Sequence, residues 1–170
     1  MNNLLSLEFT SQAIKRINQS TEKITACMQQ LEEKDVWVSP NENMNSIGNL
    51  ILHLCGNIRQ HIISALGGEQ DSRARDLEFS TMGGLNKSEL IAKLQNTASE
   101  ATKVIERMGE EELLTKRIAQ GVSHSGVDSI VHVTEHYSYH AGQIIFLTKL
   151  FRNIDLAFYA GIDLNKHNGL

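Results

Sequence analysis

Proline is nearly absent from this 170-residue chain, which has Pro40 and no other. All-β domains place many prolines in turns and at sheet edges, and helix interiors exclude them, so the deficit argues for long helices. Aromatic residues make up only 5% of the chain, which points the same way. The two cysteines, Cys27 and Cys55, are too few for a disulfide framework, so a reduced, cytoplasmic setting is expected. No apolar run reaches the ~18 residues that a membrane helix needs. No basic stretch precedes an apolar core in Met1–Glu8, as a secretory signal would require. Basic charge is not in excess either: Lys and Arg number 16 against 20 Asp and Glu, a net charge of -4. Neither nucleic acid nor membrane is therefore an expected partner.

What the chain does have is helical period, in four segments divided by polar breaks. From about Leu7 to Lys34, an apolar stripe of Leu7, Ile14, Ile17, Ile24, Met28 and Leu31 opposes a charged face. From about Asn45 to Leu66 the stripe is Ile47, Leu50, Ile51, Leu54, Ile58, Ile62 and Ala65, closed by Gly67-Gly68. Residues 67–85 are polar and longer than a tight turn. From about Lys87 to Met108 a third stripe follows Asn86 and Glu89, which resemble a capping box. From about Gly126 to Phe151, behind an N-cap at Ser125, apolar residues run almost all round the helix. Such a helix is expected at the centre, or buried on two sides. With 41% hydrophobic residues, the chain reads as one globular all-α domain over 1–170.

Seven histidines stand out. At about 100° per residue, His132 and His140 flank His136 by about 40° on either side, and Gln143 lies about 20° from it. One narrow polar stripe thus runs along an otherwise apolar helix. The spacing His136-x-x-x-His140 lets two rings reach one ion from successive turns. On the second helix Asn49, Asn57 and Gln60 fall within about 40° of His53, beside a core face where unpaired polar groups are costly. The two stripes can answer each other across the bundle interior. The order Glu135-His136 is not the His-Glu-x-x-His motif, and no Glu stands three residues before any His, which excludes the paired di-iron pattern. His61, His124 and His167 read as ordinary solvated histidines, His132 is ambiguous, and both cysteines read as small buried apolar residues.

The stretch Ile47-Gly48-Asn49-Leu50-Ile51-Leu52-His53-Leu54-Cys55-Gly56-Asn57 resembles the second-helix signature of the DinB/YfiT-like metalloenzyme superfamily. His136-Tyr137-Ser138-Tyr139-His140-Ala141-Gly142-Gln143-Ile144 resembles its fourth-helix signature. Arg75-Asp76-Leu77-Glu78-Phe79 resembles a stretch of one branch, with Leu77 in place of a basic residue. The resemblance covers nearly the whole chain. It implies a four-helix bundle with a long crossover between helices two and three, often paired as a homodimer. It also implies a divalent metal, zinc by availability or nickel, on His53, His136 and His140. Relatives of that superfamily include thiol-dependent S-transferases and a thiol-dependent isomerase.

Three imidazole ligands would leave an ion its full charge and an open position, the layout of a catalytic rather than a structural site. That position can activate water or a low-molecular-weight thiol toward a small electrophile. Asn57, Gln143 and Tyr139 stand near the ligand stripes, as groups to orient a ligand, bind substrate or donate a proton, or simply as packing residues. Three readings stay open: a metal-dependent thiol transferase or hydrolase, a non-catalytic binding bundle, and a bundle whose histidines bind nothing.

Overall fold

The computed structural model describes residues 3–169. Helix α1 (Leu4–Gln30) opens on the Asn3 side chain, which accepts from the Leu5 amide at 3.1 Å. Helix α2 (Ile47–Ile58) opens on Ser46 and runs without a break into a π-helical turn, Arg59–Ser64. There the amides of Ala65 and Gly67 reach back five residues, to the carbonyls of Gln60 (3.1 Å) and Ile62 (2.9 Å). A short helix α3 (Arg75–Ser80) precedes α4 (Lys87–Glu106), whose capping box is reciprocal: Asn86 Oδ1 accepts from the Glu89 amide, and Glu89 accepts from the Asn86 amide. Helix α5 (Glu110–Leu114), a hairpin of β1 (Lys116–Ala119) and β2 (Val122–Ser125), and α6 (Gly126–Arg152) complete the order.

The periodic segments are the four long helices. Helix α1 packs on α4 and α6, and α2 packs on the same two, so the four close a ring around one core. Ile17, Ile24, Ile51, Leu54, Leu90, Ile105, Ile130 and Ile144 are wholly or almost wholly shielded from water there. Each such side chain contributes about 1.5–3 kcal/mol by burial. Tyr137 of α6 crosses to α1, where its hydroxyl pairs with Thr21 Oγ1 at 2.8 Å. Trp37 fixes the entry to α2: its Nε1 donates to the Leu85 carbonyl at 2.9 Å, and its ring lies so close to Gly48 that a Cβ would come within 2.7 Å of it.

Three features differ from the sequence reading. The polar stretch 67–85 contains α3, held on α2 by Asn49 Nδ2, which donates to the carbonyls of Glu78 (3.0 Å) and Thr81 (2.7 Å). The stretch before α6 holds a hairpin whose strands of four residues are too short to show a period. Its turn puts Gln120 (φ 52) and Gly121 (φ 76) in the left-handed region, as a two-residue hairpin loop requires. Finally, α6 is covered on one broad side only. Ile130, Val133, Ile144 and Leu147 face inward, while Val131, Phe146 and Leu150 remain at least half exposed. Among the described residues no helix is long and apolar enough to cross a membrane.

Candidate metal centre

Because α2 and α6 pack side by side, His53 faces the His136–His140 pair one turn of α6 apart. One donor nitrogen from each of the three lies within 4.8 Å of the others. Ring centroids are 4.9 Å (His53–His136), 5.0 Å (His53–His140) and 4.5 Å (His136–His140) apart. His53 and His140 are buried and His136 is half-buried.

The outer nitrogens decide which way the lone pairs point. His53 Nδ1 donates to Glu78 Oε2 at 2.8 Å, and His140 Nδ1 donates to Gln143 Oε1 at 2.7 Å. With a proton on each Nδ1, each Nε2 turns a lone pair to the interior. His53 Nε2 meets His136 Nε2 there at 2.9 Å. Glu78 is held in turn by buried Arg73, whose Nε donates to Oε1 at 2.8 Å and Nη2 to Oε2 at 2.9 Å. Arg73 Nη1 also donates to Gln60 Oε1 at 3.0 Å. A carboxylate behind a ligating imidazole fixes its tautomer and raises its basicity. Gly56 makes that approach possible, because a Cβ at this position would collide with the Glu78 carboxylate. Phe79 covers the His53 ring at 4.7 Å, and the Arg75 guanidinium lies over Phe79 at 4.9 Å.

Burial keeps these rings neutral. It pushes His136 down to about 3, helped by the neighbouring His140 and His53. Burial also lowers His53, against the pull of Glu78, and lowers His140, against its bond to Gln143. Three converging neutral imidazoles, two of them locked from behind with a lone pair inward and His136 paired to His53 through Nε2, are a donor set that can hold a divalent ion. An all-nitrogen set suits zinc, nickel, cobalt or iron(II) and does not choose among them.

The residues expected around these histidines behave differently from one another. Gln143 is the partner of His140. Asn57 does not touch the three; its Nδ2 donates to His132 Nε2 at 3.2 Å. Tyr139 lies edge-on to the His140 ring at 5.0 Å and is mostly exposed. Glu78 and Arg73 went unassigned from sequence. They lie in a segment without period, and the only sign is the family-like stretch Arg75–Phe79, which contains Glu78 and begins two residues after Arg73. Gln143 borders a cavity of about 370 Å³, lined also by Met44, Leu50, Tyr139 and Phe146.

His61 corrects the sequence reading. It is 2% exposed rather than solvated. Its ring packs against those of His132 (4.4 Å) and His124 (5.6 Å), and His132 stacks on His136 at 5.5 Å. His124 is partly exposed and donates through Nδ1 to Asp128 Oδ2 at 2.6 Å. His167 is exposed in the tail. Both cysteines are buried, and burial raises the Cys55 thiol to about 11.

A family model described as "Protein of unknown function (DUF1572)" matches residues 5–160. Among solved structures, the chain is similar to the DinB-like protein YjoA of Bacillus subtilis, with a TM-score of 0.67 and 16% identity over 87% of this chain and 96% of that one. A conserved protein from Enterococcus faecalis gives 0.67 and 13% identity over 83% and 95%. A DinB-like protein from Bacillus cereus gives 0.65 and 12% over 82% and 90%. At these identities the likeness is one of fold. No protein in the curated set matches the chain.

Proposed function

The chain belongs to the DUF1572 family and has the DinB-like fold, and on that premise we propose that His53, His136 and His140 hold one divalent metal ion in the service of a thiol-transfer reaction. The observation that carries this reading is the backing of two ligands by Glu78 and Gln143, which sends their free nitrogens to one point. An ion held there, zinc by availability or nickel, supplies a Lewis acid that makes a thiol or water acidic enough to react near neutral pH.

The protein's own groups set the rest. No side chain beside the three histidines is a ready covalent nucleophile, since the Cys55 thiol is buried on the other side of α2 and held protonated. The nucleophile therefore comes from outside, as a low-molecular-weight thiol. Its sulfur forms the new bond to an electrophilic carbon while the π bond at that carbon opens onto the neighbouring atom, and the proton the thiol loses returns to that atom through solvent. The cavity beside Gln143 offers the electrophile an apolar wall of Met44, Leu50 and Phe146. The exposed α6 stripe, Phe146 and Leu150, supports self-association as a homodimer. A solution mass near 19.0 kDa at micromolar concentration contradicts that part.

The test loads the protein with zinc, nickel or cobalt and measures metal content and thiol addition to model electrophiles. About one ion per chain at this centre is expected, lost in His53→Ala, His136→Ala and His140→Ala and kept in His167→Ala. Equal metal in all variants overturns the site. Metal-dependent turnover without thiol replaces transfer by hydrolysis, and bound metal with no turnover leaves a binding module.

A further inference from the structure

We propose that His61, His124 and His132 form a second, separate site for a divalent transition-metal ion, adjoining the first along the α2–α6 seam. The proposal does not depend on the reaction suggested above. It starts from a polar group with no partner. His61 is 2% exposed, and neither Nδ1 nor Nε2 has a hydrogen-bond partner among the described residues. A neutral imidazole carries one donor and one lone pair, and leaving such groups buried and unmatched costs about 1–3 kcal/mol each.

Two more imidazoles pack against His61, each from a different element. His132 comes from the second turn of α6, with its ring 4.4 Å away. His124 comes from the end of β2, with its ring 5.6 Å away. The register Arg117↔His124 and the helix N-cap at Ser125 fix that strand end against the start of α6. His124 Nδ1 pairs with Asp128 Oδ2 at 2.6 Å, so a carboxylate stands behind the ring and Nε2 is the nitrogen left to face an ion. His132 Nε2 carries a lone pair, answered by the Asn57 amide at 3.2 Å. Burial holds His61 down at about 4, so protons do not compete for its lone pair at neutral pH.

The backbone at His61 is unusual as well. It lies within the π turn Arg59–Ser64, and single π turns inside α-helices occur often at functional sites. Three nitrogen donors with no oxygen among them select zinc, cobalt or nickel and reject magnesium and calcium. The rings are spread more widely than in the first group, so binding draws inward the partly exposed His124. Asp128, itself exposed, follows as its hydrogen-bond partner.

The test is equilibrium dialysis against Co²⁺ with elemental analysis and visible absorption, using three proteins checked for helix content by circular dichroism. The intact chain is expected to bind about two ions, one at each three-imidazole group. The double variant H136A/H140A should keep one, with the absorption of a nitrogen-ligated cobalt. Adding His124→Ala to that double variant should abolish it. His61→Leu, which keeps a similar bulk in the core, should do the same. A double variant that binds no cobalt, or whose cobalt survives both His124→Ala and His61→Leu, overturns the second site. An intact chain with one ion that resists H136A/H140A and yields to His124→Ala would support this site while sinking the first.

Discussion

His53 and His61 lie on the same continuous run of helix, both buried, at 5% and 2% exposure. Yet among the described residues both ring nitrogens of His53 have a partner and neither of His61 has. His53 donates its outer N–H to Glu78 and turns its inner nitrogen to His136. The His61 ring packs against two other imidazoles, with no hydrogen-bond partner for either nitrogen among the described residues. The difference lies in the connections rather than in the helices. The 67–85 segment folds back over α2 and delivers Glu78 with its counter-charge Arg73, whereas the hairpin beside His61 delivers another histidine. A helix can supply a row of ligands, but the group that orients them comes from the chain between helices.

Breaking the backing of His53 is expected to have the largest effect. Glu78→Gln removes the charge behind the ring and strands Arg73, whose side chain is only 4% exposed. Losing the hydrogen-bond partner behind a ligating imidazole lowers metal affinity by about 10–100-fold. A buried charge left without its partner costs about 3–5 kcal/mol of stability. Gly56→Ala should act in the same direction with all charges kept, because its methyl group displaces the Glu78 carboxylate. His61→Leu in metal-free protein should instead be neutral or stabilising, since it removes two unmatched polar atoms. Metal titration calorimetry and thermal unfolding check all three. Unchanged affinity in both Glu78→Gln and Gly56→Ala would show that the carboxylate does not support the site.

Acidification sharpens the same comparison with an effect of intermediate size. In metal-free protein His61 is pushed down to about 4 and His136 to about 3, mainly by burial, from an ordinary value of 6.5. The unfolded chain takes up these protons near 6.5, and the folded chain does not until much lower pH. Between those values the unfolded state holds more protons, so stability must rise with pH and fall on acidification. The fall begins near pH 6.5 and levels below the folded values. At about 1.4 kcal/mol for each pH unit and group, it reaches a few kcal/mol. Urea unfolding with a chelator present, at pH 7.5, 5.5 and 4.5, measures it. His61→Leu should flatten the profile. Stability that is level or increasing toward pH 4.5 would mean that these rings are not buried neutral.

The same contrast explains what could be read from the sequence. His136 and His140 were legible because α6 is a regular helix, so a spacing of four residues keeps both rings on one side. The caps at Asn86 and Ser125 were legible because a cap is a local pattern. His61 was not, because an α-helical wheel places it about 80° away from His53. The π turn widens the helix there and alters that angle, and nothing in Arg59–Ser64 announces it. Glu78 was hidden for another reason: its partner is 25 residues distant and its segment has no period. Asn57 lay on the right stripe and served a different histidine, because a stripe says which face a residue is on and not whom it meets.

Tyr139 offers the smallest expected effect, and the cleanest separation of binding from chemistry. Its ring stands edge-on to His140 with centroids 5.0 Å apart and planes at 75°. That contact is made by the ring, so Tyr139→Phe retains it. The side chain is 63% exposed, and substitutions at such positions usually change stability by no more than about 0.5 kcal/mol. Metal affinity should likewise stay unchanged, since His140 is oriented by Gln143 and not by the phenol. Only turnover can respond, if the hydroxyl gives a proton to the substrate in the neighbouring cavity. Positioned acids contribute about 10²–10⁴-fold when water cannot replace them, and at an exposed site water can, so the loss should fall well short of that range. The measurement pairs cobalt titration with the rate of thiol addition. A fall in metal affinity would show that the phenol holds the ligand, and would move Tyr139 from the substrate side of His140 to its support.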